Sequence, residues 1–268
     1  MVHSTYRVRP GKKIDLSKWS TDDTGPFSHK EEAKGAIAKN IKRLIELQEL
    51  LYASASHSIL IVLQAMDAGG KDGAISHVFS GVNPQGCNVT SFKEPSHEEL
   101  SHDYLWRYHL ACPRRGMMEI FNRSHYESVL VERVSNIVSK DVWSKRFEQI
   151  NDFERMLVSE NTVILKFFLH ISKKEQKQRL EARIEDKTKQ WKISPSDLVT
   201  RKHWDAYTEA FEDALRQCST DDAPWYIVPA DHKWFRNWVL SDTIVRTLQK
   251  LEMKLPPPAE GLDKLKVK

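Results

Sequence analysis

Apolar residues in this chain fall into short runs separated by amphipathic stretches. The first run, Ile59-Leu-Ile-Val-Leu63, has no polar interruption. Such runs suit strands buried on both faces of a parallel sheet. Four more segments read the same way: 87–92, 117–121, 162–169 and 225–229.

Between these runs the pattern becomes helical. Ile37, Ile41, Leu44, Ile45, Leu47 and Leu51 recur at helical spacing, and Ser28 with Glu31 reads as a capping box opening a helix that ends near Ser56. Further helices are expected from the glycine-rich turn to about Gly81, from Ser96 (capped with Glu99) to about Leu110, and over 124–131, 141–159 and 195–217. Ser172 with Glu175 opens another, and the last spans 233–250, before Pro256-Pro-Pro258 ends regular structure. Strands alternating with helices predict an α/β fold with a mostly parallel five-stranded sheet. One domain over 1–268 is expected. It would have an arm at 1–27, an inserted or appended helical element at 171–217, and a Lys-rich tail at 251–268.

Composition narrows the class. At 268 residues, 40% hydrophobic and with 8 Trp, the chain has a core to bury. Its three cysteines, Cys87, Cys112 and Cys218, are far apart and lack C-x-x-C spacing, which argues against a disulfide or zinc framework and for a reducing cytoplasm. The longest apolar run falls far short of the roughly 20 residues of a membrane span. Residues 1–10 show no apolar signal-peptide region. The net charge of +4 gives no support to a general nucleic-acid binder. It is unevenly placed, however: between Ile171 and Trp204 lie ten Lys/Arg and five Asp/Glu, so this segment alone carries a surplus of five positive charges.

The chemistry concentrates after the first strand. An apolar strand, a glycine-rich turn with a lysine, and then a helix form the context of a phosphate-binding loop. Backbone N–H groups of Ala68, Gly69, Gly70, Lys71, Asp72 and Gly73 would face an anion, with Lys71 as a point charge. The match to G-x-x-x-x-G-K-[ST] is imperfect, because Ala65 replaces the first glycine and Asp72 follows the lysine. Two carboxylates, Asp67 and Asp72, would repel phosphate without a cation between them. Mg²⁺, with Mn²⁺ as its alternative, fits that need. The second constellation is Asn122-Arg123-Ser-His-Tyr-Glu127, at the carboxyl end of the 117–121 strand, where ligands of open α/β sheets bind. Arg123 is placed to stabilise a transferring phosphoryl group, and Asn122 and Glu127 to orient a metal or acceptor. A plain ion pair between Arg123 and Glu127 is the bland reading.

With Ser91-Phe-Lys93, Asp222-Ala-Pro-Trp225 and Pro229-Ala-Asp231, these motifs resemble the polyphosphate kinase 2 family over about Tyr6 to Leu251. The resemblance implies a thymidylate-kinase-like P-loop kinase fold with a helical lid, Mg²⁺, and reversible phosphoryl transfer between inorganic polyphosphate and nucleotides. It implies that Asp67 is the Walker A acid on the metal and acceptor, and that Lys71 and the loop glycines hold phosphates. Arg123 would be the Walker B arginine, and Arg179 and Arg183 would belong to the lid. Asn122 in place of the aspartate of diphosphate-preferring members resembles the subgroup accepting nucleoside mono- and diphosphates (AMP/ADP, GMP/GDP). A homo-oligomer, dimer or tetramer, is also implied.

The basic segment reads either as a solvated helix face or as the wall of a cationic channel, with Lys93, Lys233 and Arg236 as candidates for the opposite wall. His97, His102, His109 and His125 lack metal-ligand spacing and read as structural or solvent-facing. Trp106, Trp143, Trp204 and Trp225 read as core, with Trp191 as the exception, while Tyr126 and Phe92 are weak candidates for a base or sugar pocket. Two other activities stay open from the residues alone. One is an ATP-dependent kinase for a small acceptor. The other is a non-catalytic polyanion- or nucleotide-binding protein.

Overall fold

Strand β1 (Ser58–Ala65) is buried along seven of its eight residues because it offers apolar side chains in both directions. Ile59, Ile61 and Leu63 enter one core, and Leu60 and Val62 enter the other. Each such side chain, fully buried, stabilises by about 1.5–3 kcal/mol relative to exposure. In this computed structural model, which describes residues 5–261, β1 is the middle of a five-stranded sheet. Its partners are β2 (Cys87–Ser91), β3 (Met118–Asn122), β4 (Thr162–His170) and β5 (Trp225–Pro229). The order is β2-β3-β1-β4-β5, and every pairing is parallel. Register aligns Leu63 with Asn122 and Ala65 with Leu169, so the ends of β1, β3 and β4 reach one edge together. The expected sheet and the P-loop kinase arrangement are both present.

In chain order the helices are α1 (Lys30–Ser54), α2 (Lys71–Val78), α3 (His97–Leu100), α4 (Trp106–Leu110), α5 (Val131–Val134) and α6 (Lys140–Ser159). They continue with α7 (Lys173–Glu185), α8 (Pro195–Lys202), α9 (Trp204–Cys218) and α10 (Lys233–Gln249). Helices α1, α2 and α10 supply the core on the Ile59 side; α6 and α9 supply Phe147, Ile150, Phe153 and Phe211 to the other.

Several sequence expectations need correction at helix ends. Helix α1 is capped by His29 rather than Ser28, and Glu32, not Glu31, accepts from the Ser28 N–H at 2.7 Å. The Ser96–Glu99 capping box forms as expected. The helix it opens stops at Leu100, because Ser101 bonds back to the backbone and Asp103 caps the chain afresh through the Leu105 N–H. Residues 124–131 form a 3-10 turn, His125–Ser128, before α5 rather than one helix. The 195–217 stretch divides at His203 into α8 and α9.

The N-terminal arm protects the free edge of β5. Val8 donates to Trp225 O at 2.8 Å, Ile227 donates to Tyr6 O at 2.9 Å, and Val8, Ile14 and Leu16 are buried. Covering a sheet edge removes a template for unwanted pairing. Lys264, Lys266 and Lys268 of the predicted tail lie outside the described residues. No helix among the described residues is long and apolar enough to cross a membrane.

Candidate active site

The chain leaves β1 at Ala65 and turns tightly into α2. Ala68 and Gly70 both take left-handed backbone, with φ of 58° and 95°. Gly70 has a second constraint: a Cβ there would collide with the Arg236 guanidinium. At Gly69 a Cβ would collide with the side chain of Ala65, so a small residue at 65 and glycine at 69 close the turn together. The free N–H groups of the first turn of α2 and its dipole then face the carboxyl edge of the sheet.

Two arginines and a glutamine hold this turn by its carbonyls. Arg179 on α7 is buried, and its guanidinium donates to Ala68 O (3.2 Å), Gly69 O (3.1 Å) and Asp231 O (3.1 Å), with Ala230 O a further acceptor. Its Nε donates to Glu175 at 2.7 Å. Arg236 on α10 donates to Gly70 O at 3.0 Å and to the Asn237 side chain. Burial and the neighbouring Arg179 push the Arg236 guanidinium down to about 10. Gln176 donates to Asp67 O at 3.0 Å and accepts from Arg201 at 2.7 Å. Bonds to a charged donor contribute about 1.5–3 kcal/mol each. The loop therefore keeps its carbonyls turned back onto α7 and α10. Contrary to expectation, the Gly69 N–H does not face an anion site, because it closes the turn on Met66 O at 2.9 Å.

Lys71 is part-buried, with Nζ 3.4 Å from Ala65 O. Burial lowers its ammonium pKa, and Arg123 lowers it further, against the opposing pull of Asp67, Glu127 and Asp72. Arg123 follows β3 with φ of 66°, and its N–H continues the ladder to Leu63 O at 3.2 Å. That conformation throws its side chain toward Asp67, at 3.8 Å, with 43% of the Arg123 side chain and 18% of Asp67 still exposed. Arg123 thus pairs with Asp67 across β1 and β3 instead of with Glu127. Burial raises the Glu127 carboxyl above the ordinary carboxylate range, although Arg123, Lys71 and Gln64 pull it down. Asn122 donates to Asp72 at 2.8 Å.

Asp67, Ala68, Gly69, Gly70, Lys71, Asp72, Gly73, Asn122, Arg123 and Glu127 are thereby gathered at one edge. Lys93 is exposed just beyond β2. Arg183 lies one turn beyond Arg179 and donates to Lys192 O at 3.1 Å, while Lys192 Nζ reaches to 4.0 Å from Asp72. Two expectations change. Arg236 braces the loop from behind instead of forming a channel wall. Tyr126 and Phe92 are buried in the core instead of facing the site. Gln176 and Gln64 went unrecognised. Gln176 shares the inward stripe of α7 with Arg179 and Leu180, and that i, i+3, i+4 spacing was its only signal.

Asp67 on the loop and Asp72 in the first turn of α2 offer carboxylates to a cation, with Glu127 also close to Lys71. Among the described residues no group of three or more His, Cys, Asp or Glu forms a cage. The donor set suits Mg²⁺, which is held by one or two carboxylates with the remaining ligands from water and substrate phosphates.

Comparison with known proteins agrees with this geometry. The profile of the family Polyphosphate kinase 2 (PPK2) matches residues 27–256. An AMP/ADP-polyphosphate phosphotransferase of Meiothermus ruber is 52% identical over 97% of this chain and 98% of its own. An ADP-polyphosphate phosphotransferase of Rhodopseudomonas palustris is 45% identical, covering 94% and 91%. The crystal structure of polyphosphate kinase 2 from Arthrobacter aurescens superposes with a TM-score of 0.92 at 38% identity, covering 96% of this chain and 93% of that one. With its loop, its arginine after β3 and its five parallel strands, the chain belongs to the polyphosphate kinase 2 family.

Proposed function

We propose that this protein is a phosphotransferase that moves phosphoryl groups between inorganic polyphosphate and nucleoside mono- and diphosphates. The observation that carries the reading is the convergence of Lys71 and Arg123 with the carboxylate of Asp67, beside a segment with a surplus of five positive charges. A single nucleotide needs one compact anion site, whereas a linear polyanion needs cations along its track.

A terminal phosphate oxygen of the acceptor nucleotide attacks the end phosphorus of polyphosphate. The new P–O bond forms as the bridging P–O bond breaks, and the shortened polyphosphate leaves with that electron pair. The same arrangement runs in reverse. Lys71 and the loop N–H groups hold the transferring group, and Arg123 neutralises charge developing on it. Asn122 and Glu127 orient the acceptor, with Lys93 at the rim. Glu127 is part-buried beside Lys71, so it meets the acceptor from the same edge. Asp67 would hold the divalent ion, Mg²⁺ or Mn²⁺, and such an ion screens repulsion between the two phosphate chains. The α7–α8 segment serves as a lid. Arg179 shapes the loop from behind, while Arg183 and the exposed lysines of α7 line the polyphosphate track. The acceptor assignment draws on Asn122 and on the relatives, an AMP/ADP-polyphosphate phosphotransferase and an ADP-polyphosphate phosphotransferase. A homo-oligomer working in the cytoplasm, with neither nucleic acid nor membrane as partner, completes the reading.

The test is to supply AMP or ADP with Mg²⁺ and long-chain polyphosphate, and to follow ADP and ATP formed, with Lys71→Met in parallel. Product in the wild type and none in the variant is expected. Product only when ATP is offered with another acceptor would replace the reading with an ATP-dependent kinase. Binding without turnover would leave a passive polyanion binder.

A further inference from the structure

Trp191 is the most exposed large apolar side chain among the described residues, at 77%. Water-facing tryptophan is unusual, and here its position is constrained. It sits in the 3-10 turn Gln190–Lys192, between α7 and α8. Arg183 ties this turn to α7 through Lys192 O at 3.1 Å, and Lys192 Nζ approaches Asp72, the second residue of α2, at 4.0 Å. The Lys192 ammonium thus links the indole, 4.9 Å from it, to the first turn of α2.

Its own chemistry is half satisfied. Nε1 donates to Thr188 O at 3.0 Å, so the ring's only polar atom is engaged within the turn. Lys192 Nζ lies 4.9 Å from the ring centroid, within cation–π range. What remains is a broad aromatic surface open to solvent, on a positively charged segment next to the site for the transferred phosphate. Polyphosphate has no surface that would gain from such a ring. A nucleobase has one, and base–aromatic stacking is sequence-tolerant because every base presents a π-face.

We propose that Trp191 is the stacking platform for the base of the nucleotide substrate. The inference rests on the phosphotransferase reading above and names how that site takes the base. It carries a selectivity. With Nε1 committed to Thr188, the ring has no donor to read a base edge, so adenine and guanine are accepted alike. Purines offer more stacking area than pyrimidines and are preferred.

The experiment measures steady-state kinetics for wild type, Trp191→Ala and Trp191→Tyr with ADP, GDP and CDP, at varied polyphosphate. In Trp191→Ala the KM for ADP and GDP should rise about tenfold, that for CDP by less, and the KM for polyphosphate should stay within about twofold. Trp191→Tyr should recover most of the loss. An unchanged nucleotide KM in Trp191→Ala overturns the proposal. So does an equal rise in the polyphosphate KM, which would assign the ring to the polyphosphate track, and so does a change in oligomeric state that accounts for the lost activity. Absence of polyphosphate-dependent product in the wild type itself would instead overturn the phosphotransferase reading.

Discussion

Two clusters of charge lie on either side of the Asn122–Glu127 segment, and they are built to opposite rules. At the sheet edge, Lys71, Asp67, Arg123 and Glu127 are part-exposed, with Arg123 and Asp67 3.8 Å apart. Behind them, Lys166 on β4 and Glu154 on α6 are 0% and 2% exposed and in direct contact. Lys166 also donates to Tyr126 at 2.9 Å and to Cys218 O at 2.6 Å, while Glu154 accepts from Tyr126 at 2.9 Å and contacts His125 Nε2 at 3.1 Å. Burial alone would raise the Glu154 pKa, yet Lys166 and His125 outweigh it and hold it below the ordinary range. Burial keeps His125 low and neutral. The buried charges are neutralised from within, while those at the sheet edge keep part of their surface open to solvent.

The largest expected effect tests the open cluster. Lys71→Met should lower turnover by about 10³-fold while leaving the melting temperature near that of wild type, since the ammonium makes one long contact at 3.4 Å. Thermal melting beside initial rates checks both halves. A variant that melts early would place Lys71 with the structural charges and erase the distinction.

Lys166→Met tests the closed cluster from the other side. Removing one member of a buried pair leaves Glu154 uncompensated and costs about 3–5 kcal/mol. Below its transition the variant should keep its KM values, and pairing it with Glu154→Leu should return part of the stability. Lost turnover at wild-type stability would show that the buried pair acts in the chemistry.

Arg179 lies between these cases and gives a smaller effect. It was expected among the lid cations that meet phosphate, but its guanidinium is engaged with loop carbonyls. Arg179→Ala should cost about 2–3 kcal/mol and lower the melting temperature by several degrees, with the KM for polyphosphate rising as the loop loosens. Arg183→Ala should raise that KM without moving the melting temperature. The two variants separate a brace from the proposed phosphate contact one helical turn away.

That pair also shows where the sequence was legible. β1, β4 and β5 stood out because buried parallel strands must be apolar on both faces, whereas the edge strand β2, with Asn88, Thr90 and Ser91 in it, is largely exposed and gave a weaker signal. The loop stood out because tight turns and close backbone approach restrict residues 69 and 70 to glycine. Arg179 and Arg183 look alike in the sequence, four positions apart on a basic helix, and only packing decides which points inward. The same holds for helix breaks: Ser101 and His203 are compatible with helix, and local bonds to side chain and backbone end it there. His125, read as structural, does lie in the buried cluster, but its partners come from 29 residues away and no local pattern announces them.

Glu127 gives the smallest effect and the most exacting one. Its folded-state pKa is raised, chiefly by burial. A carboxyl raised in this way binds its proton more tightly in the native state than in the unfolded one. The stability it contributes is therefore present below the ordinary value of 4.5 and is lost as pH rises through the folded value. At neutral pH the ionised group is a burden on the fold, which the proposed acceptor role would account for. Glu127→Gln should consequently melt slightly higher than wild type at pH 7, with the advantage disappearing at acid pH, while nucleotide turnover falls. In the wild type, loss of the ionised form places the acid limb of the rate profile above pH 4.5, and the lowered Lys71 pKa places the alkaline limb below 10.5. In Glu127→Gln the acid limb should flatten and the alkaline limb persist. If the variant melts lower at neutral pH, Glu127 is a paired structural charge like Glu154, and the open cluster is smaller by one.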